Sequence, residues 1–383
     1  MKMPRHGEKK ATLLPVSLAL LMFLAVSAHA ATGSDWKAEW EKTVQAAKKE
    51  GQLTAYIYRY GALFDAFKQE YPEIKVVTAT GTGSQMGARI IAERRAGKYI
   101  ADVFSSGANT NFNVLYKANA LDPLKPALLL PEVLDESKWF SGKHRYIDPE
   151  GKYIFAYLGN PGAGGQLSYH TQLASPKEFK SYGDLLQPKW KGKIVSLDPS
   201  NTGLGASMQF FYYNSEIGPE WIKRFFGTMD ITYSREFRQM TDWLSMGKFA
   251  LCMGCKDVDR ARQQGLPVAS FDDHRWKEGR SLSAGGGTLS LLNQAPHPNA
   301  AKLFINWLLS RRGQLALQNL DDPFGSESRN SFRMDISKEK VPPADQLVEG
   351  EKYLDVTRPE FSDMTPIFQL AKEIIKTREQ KKD

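Results

Sequence analysis

The sequence predicts an α/β protein folded in two lobes, and three observations carry that prediction. Strand-like and helix-like runs alternate from residue 35 to residue 107, which argues for a parallel sheet with helices on both faces. Two glycine-rich stretches, 159–165 and 285–287, interrupt extended runs and read as crossings between lobes. At 383 residues the chain also exceeds what one core comfortably buries.

The first thirty residues stand apart. Residues 1–10 are basic, 11–27 are apolar, and Ala28-His29-Ala30 has the small-x-small form of a cleavage site. The mature chain is therefore expected to be periplasmic, exported with its signal peptide removed after Ala30. The formal charge of +8 shrinks accordingly, because Lys2, Arg5, Lys9 and Lys10 leave with Glu8. What remains is 47 basic against 42 acidic residues, or +5. That excess is spread without a basic run, so no nucleic-acid partner is expected.

In the mature chain, Trp36, Trp40, Val44 and Ala47 fall at helical spacing and Gly51 stops the helix. Residues 53–58 read as a strand, 59–61 as a turn and 63–71 as a helix ended by Pro72. A second strand over 74–78 runs into the turn Gly81-Thr82-Gly83-Ser84, followed by a helix over 85–96. A third strand, 101–104, opens onto Ser105-Ser106-Gly107. Residues 153–158 and 166–170 are strands on either side of the first glycine-rich crossing. Ile194-Val-Ser-Leu197 is a short buried strand, and Asp198-Pro-Ser-Asn-Thr-Gly203 forces a turn before a helix. Helical runs follow at 221–226, 238–246 and 257–264, with a strand and turn at 249–255. Residues 281–292 form the return crossing, and 299–310 is a periodic helix against a core.

In sheets of this kind, ligands bind outside the carboxyl ends of the strands. The residues there are Tyr58, Arg59 and Tyr60 after the first strand and Thr82 and Ser84 after the second. Ser105, Ser106 and Asn109 follow the third, and Ser200, Asn201 and Thr202 follow 194–197. Each of the small polar residues is also ordinary turn chemistry. Together they favour a polar ligand held by hydroxyls and backbone N–H groups, with Arg59 able to fork onto an anion. Arg235 and Arg238 suit a solvated helix face. His170, His274 and His297 lack ligand spacing and read as structural.

Cys252 and Cys255, the only cysteines, admit a short structural disulfide, a redox pair, or soft-metal capture together with Met253. No nucleophile elbow or H-E-x-x-H helix is visible, so the chain is expected not to be an enzyme. No cofactor and no resident metal are expected.

Three segments then resemble the extracellular solute-binding proteins of ABC importers, in the branch of the ferric-ion-binding proteins. They are Ala101-Asp-Val-Phe with Ala118-Asn-Ala-Leu-Asp-Pro-Leu, the stretch Asp184-Leu-Leu-Gln-Pro-Lys-Trp-Lys-Gly-Lys-Ile, and Ser283-Ala-Gly-Gly-Gly with Pro298-Asn-Ala-Ala-Lys-Leu-Phe-Ile-Asn-Trp. The resemblance implies a type II periplasmic-binding-protein fold, two α/β lobes that close on a solute about two hinge strands. It places the first lobe in 31–150, the crossing in 151–171 and the second lobe in 172–280. The return strand and the completion of the first lobe fall in 281–325, and helices packing on the second lobe in 326–383.

The ferric branch holds its metal with a histidine, a glutamate and two adjacent tyrosines. The corresponding positions resemble Tyr60, Gly107 and Cys252-Met253 here, so ferric binding in that manner is not expected. The implied role is capture of a small polar, anionic solute by a monomer that delivers it to an ABC permease and its ATPase. The alternatives are a remodelled metal or metal-chelate site, or a sensor subunit of a membrane kinase.

Overall fold

The computed structural model describes residues 32–58, 60–162, 167–200, 204–271, 276–320, 329–341 and 345–380. Arg59, Asn201, Thr202, His274 and the leader read in 1–30 lie outside the described residues.

Strands β1 (Gln52–Ile57), β2 (Lys75–Ala79) and β3 (Val103–Ser106) lie side by side and parallel, in the order β2-β1-β3. The helices Leu63–Glu70 and Gly83–Arg95 connect them. Strands β4 (Leu121–Asp122), β5 (Arg145–Tyr146) and β6 (Phe155–Ala156) extend this first lobe. The chain then passes through β7 (Asn160–Gly162) into β8 (Leu167–His170) of the second lobe. There β9 (Ile194–Leu197), β10 (Thr232–Ser234), β11 (Leu251–Met253) and β12 (Val268–Ser270) complete a sheet ordered β10-β9-β11-β8-β12. The return runs through β13 (Arg280–Ser283) into β14 (Thr288–Leu292), which closes the first-lobe sheet beside β3. A last strand, β15 (Tyr353–Asp355), pairs parallel to β13.

Strand direction follows from where each strand enters. β1, β3, β9 and β11 run toward the gap between the lobes, whereas β8 and β14 arrive from that gap and run away from it. Each therefore joins its sheet antiparallel. The hinge itself is a three-stranded sheet, with β13 between β7 and β15.

Each lobe has its own core. In the first, Phe64 and Phe67, three apart on one helix, meet Phe304 and Trp307 of the helix Pro298–Leu309 at ring separations of 4.9–5.4 Å. In the second, Tyr182 lies between Trp276 and Phe211 at 4.7 and 5.4 Å. The Tyr182 carbonyl accepts a hydrogen bond from the Trp221 indole.

The C-terminal stretch divides between the lobes instead of packing whole on the second. The helix Thr365–Gln380 buries Ile367, Leu370, Ala371 and Ile374 in the second core. Residues 329–341, by contrast, complete the first lobe. Phe332 enters its core, and the Arg333 guanidinium is fully buried on Asp335, Glu132 and the Leu309 carbonyl. Pairing with both carboxylates makes that burial tolerable.

Burial also gives the fold a pH dependence. It holds the imidazoles of His144 and His170 below their ordinary value of 6.5. Burial likewise pushes Lys338, whose ammonium donates to the Ser331 carbonyl at 2.6 Å, down to about 7. A depressed folded pKa contributes stability that is complete above the unfolded value and lost as pH falls through the folded one. The thermal unfolding midpoint should therefore fall from about pH 9 to about pH 5.5. Lys338→Met should flatten the upper part of that slope, and a midpoint that instead rises on acidification would contradict the assignment.

Candidate functional site

The carboxyl ends of the first-lobe strands form one wall of the gap. After β1 the Tyr58 N–H donates to the Ser105 carbonyl at 2.9 Å, and the Tyr60 N–H to the Tyr58 carbonyl at 2.9 Å. This tight turn lays both rings against the glycine run that ends the return crossing. A Cβ on Gly286 would sit 3.0 Å from Tyr58 Cδ1 and 3.7 Å from Tyr60 Cε2. Glycine stands there because the rings occupy the side-chain space. A Cβ on Gly107 would sit 3.5 Å from the Gly285 carbonyl oxygen, an ordinary contact.

The hydroxyls nominated on this wall divide sharply. Ser105 shares a 2.8 Å hydrogen bond with the fully buried Tyr157, whose phenol burial pushes far up. It faces the sheet interior and is not a surface contact. Ser106 is 1 % exposed, and its carbonyl accepts from Thr288 Oγ1 at 2.6 Å. Thr288 Oγ1 in turn accepts from Asn111 Nδ2 at 2.8 Å, and Ser290 donates to Asn111 Oδ1 at 2.7 Å. Together these groups form a dry polar brace joining β3, β14 and the helical segment 108–116. Thr82 caps the helix Gly83–Arg95 in a reciprocal pair with Gln85, so its hydroxyl is committed to the helix end. Ser84, in the first helical turn, is exposed.

The second-lobe wall begins after β9. Asp198 accepts from the N–H and hydroxyl of Ser200 at 2.9 and 2.7 Å and from Arg235 at 3.1–3.2 Å. Burial alone would raise this carboxyl, but the Ser200 and Arg235 bonds prevail and hold it below the ordinary value. Ser200 is thus spent on the turn. Cys252 and Met253 are each 0 % exposed inside β11, which corrects their nomination as ligand contacts. Strand alternation and pairing on both sides bury them. The loop after the strand carries the accessible groups.

Cys252 and Cys255 are joined by a disulfide. From Cys255 onward the chain lines a cavity of about 430 Å³ against the crossing strands β7 and β13. Lys256, Arg260 and Arg280 are among its lining residues, with the Lys256 ammonium 5.5 Å from the Phe237 ring centroid, and so are Asp257, Asp259 and Asp345. Sequence reasoning did not nominate these residues, although the carboxyl-end rule applied to β11 points to them. A second cavity of about 360 Å³ lies between the lobes. Gly107 and Asn109 form one side, Gly205 and Gln209 the other, and Ser283 and Gly285 lie on the crossing. Among the described residues no group of three or more His, Cys, Asp or Glu side chains converges as a metal site.

The sequence model of the bacterial extracellular solute-binding proteins matches residues 50–315, and the chain belongs to that family. Its structure resembles apo FutA2 of Synechocystis PCC6803, with a TM-score of 0.57 and 16 % identity over 85 % of this chain and 98 % of that one. An ABC transporter structure from Clostridium perfringens gives a TM-score of 0.57 at 13 % identity, over 86 % of this chain and 99 % of that one. The Trichodesmium protein IdiA, or FutA, described in complex with iron and citrate ligands, gives 0.51 at 20 % identity, over 86 % and 99 %. The fold is the two-lobed type II periplasmic-binding-protein fold of ABC-transporter solute-binding proteins.

Two substitutions probe the first-lobe wall. Asn111→Ala leaves the buried Ser290 hydroxyl without its acceptor, removes the donor to Thr288 Oγ1, and should cost about 2 kcal/mol in urea unfolding. Gly286→Val drives a branched side chain into the Tyr58 ring and should cost about 1–3 kcal/mol. A wild-type unfolding midpoint in either variant would show that the wall tolerates what its packing excludes.

Proposed function

We propose that this chain is the periplasmic solute-binding component of an ABC importer. It captures a small polar solute bearing an anionic group and hands it to a membrane permease driven by an ATPase. The observation that carries this reading is the cavity behind the hinge, where Lys256, Arg260 and Arg280 line a space of about 430 Å³ at the carboxyl edge of the second-lobe sheet. Cavities of this size suit small molecules. Three carboxylates in the same lining favour a compact anion over a polyanion, because a dense negative charge would meet Asp257, Asp259 and Asp345.

The helix Gly205–Tyr213 follows β9 and brings its N-terminus to the second cavity, between the lobes. Tyr58 and Tyr60 pack on the return crossing and line neither cavity, and Tyr60 is buried, which corrects its nomination as a ligand contact. Arg59, Asn201 and Thr202 belong to this proposal on their sequence positions. The solute leaves unchanged; the protein binds and releases it as a monomer.

The test is thermal unfolding of the mature protein against citrate, inorganic phosphate, phosphonates, amines, Fe(III) and Cu(I). A ligand selective for the native state raises the midpoint, by about 5 °C at a hundredfold excess over its Kd. One compact anion should do so, and Lys256→Ala with Arg260→Ala should remove most of the shift. A shift with Fe(III) or Cu(I) alone, or turnover of the anion, would overturn the reading.

A further inference from the structure

We propose that the Cys252–Cys255 disulfide is a redox-sensitive latch on the solute site. Oxidised, it holds the loop after β11 so that Lys256 and Arg260 line the cavity; reduced, it frees the loop and solute affinity falls. The affinity part rests on the functional reading above.

The two sulfurs have different surroundings. Cys252 is fixed in the middle of the sheet, opposite Val195 of β9 on one side and Ser168 of β8 on the other. Cys255 is the first loop residue to reach the cavity. The bridge therefore ties a cavity-lining loop directly to the central strand of the lobe. Because only three positions separate the cysteines, it closes a very short loop and removes little entropy from the unfolded chain. Its effect is concentrated on local geometry.

That geometry needs holding. Gly254 has φ +92°, and a Cβ there would lie 3.0 Å from Leu197 Cβ and 3.2 Å from Leu204 Cδ2. Asp257, which is not glycine, has φ +56°. A non-glycine residue in the left-handed region persists where its surroundings over-determine it. Here the surroundings are the disulfide on one side of Lys256 and, on Lys256 itself, a 2.8 Å hydrogen bond from Thr241 Oγ1 to its carbonyl. Opening the disulfide leaves the Thr241 bond and, beyond Lys256, the 3.0 Å bond from the Ala261 N–H to the Asp257 carbonyl, so the stretch from Gly254 to Lys256 is the part set free. Lys256 and Arg260 then lose their fixed approach to the cavity.

Access sets the order of the chemistry. A thiolate of a reducing dithiol reaches Cys255 from the cavity, forms a mixed disulfide with its sulfur and breaks the bond to Cys252, which leaves as a thiolate and takes up a proton. The reductant's second thiol gives up its proton and displaces Cys255, which is protonated in turn. The reductant ends as a disulfide, and two electrons and two protons have passed to the cysteines. A solute seated in the cavity covers Cys255, so binding and reduction oppose each other reciprocally.

Amide hydrogen exchange on the mature protein, before and after dithiothreitol, tests the latch without any solute. Exchange across 253–263 should accelerate at least about tenfold, while β8 and β9 stay within about twofold of the oxidised form. The Cys252→Ala/Cys255→Ser double variant should behave as the reduced protein. Unchanged loop exchange, or loss of protection that spreads into β8 and β9, would overturn the proposal. Calorimetry with inorganic phosphate as probe should show a Kd at least about tenfold weaker after reduction. Equal affinity with a loosened loop would also overturn it. Inorganic phosphate that binds neither form counts against the solute reading, and the exchange measurement still decides the latch.

Discussion

The structure depends on one directional constraint at the hinge. Strands that finish a βα unit run toward the gap between the lobes, and any strand entering from the other lobe must start at that gap. Insertion of β14 and β8 into the middle of their sheets is therefore antiparallel by necessity. The insertion is also what welds each crossing to a core. β14 pairs with β3, β4 and β6, so the return crossing cannot shift without disturbing most of the first-lobe sheet. A hinge between lobes requires this anchoring, because a crossing strand that slid in its sheet would absorb the motion meant for the lobes.

The anchoring has a chemical cost that the sequence pays in small polar residues. At the end of β3 the backbone turns out of the sheet under buried conditions, where each unmatched polar group costs about 1–3 kcal/mol. Thr288, Asn111 and Ser290 meet that demand, and Ser105 meets it with Tyr157. The hydroxyl density at the strand ends is thus largely wall construction. The same composition would serve an anion cradle, so composition alone does not tell that Ser105 and Ser106 are buried.

Periodicity made the regular elements legible. Phe64 with Phe67, and Leu303 with Phe304 and Trp307, lie one helical repeat apart, and the helices appear where that spacing places them. The glycine runs marked the crossings because backbone must approach tyrosine rings and neighbouring strands there, and that requirement is visible as composition. Residues 329–341 carried no such mark. Arg333 reads as a surface residue until Glu132, some two hundred positions earlier, is seen to meet it; such a partnership has no local signature. The lining of the second-lobe cavity went unnominated for a different reason. Family likeness drew attention to Cys252 and Met253, whereas strand geometry buries those two and exposes the loop that follows.

The two walls of the gap are consequently unlike in kind. The first-lobe wall is braced by buried hydrogen bonds and by rings packed on glycine backbone, an arrangement with one well-fitted state. The second-lobe wall presents exposed, mobile-headed cations and carboxylates on a loop with two left-handed residues, held by a covalent bridge and a threonine hydrogen bond. If the loop holds the solute as proposed, it can carry the discrimination between solutes, since its side chains can change without unseating the hinge. A wall that also bore the crossing strand could not vary in that way: any substitution that retuned it, as at Asn111 or Gly286, would be felt first as lost stability. On the proposed reading, specificity and hinge anchoring fall to opposite lobes.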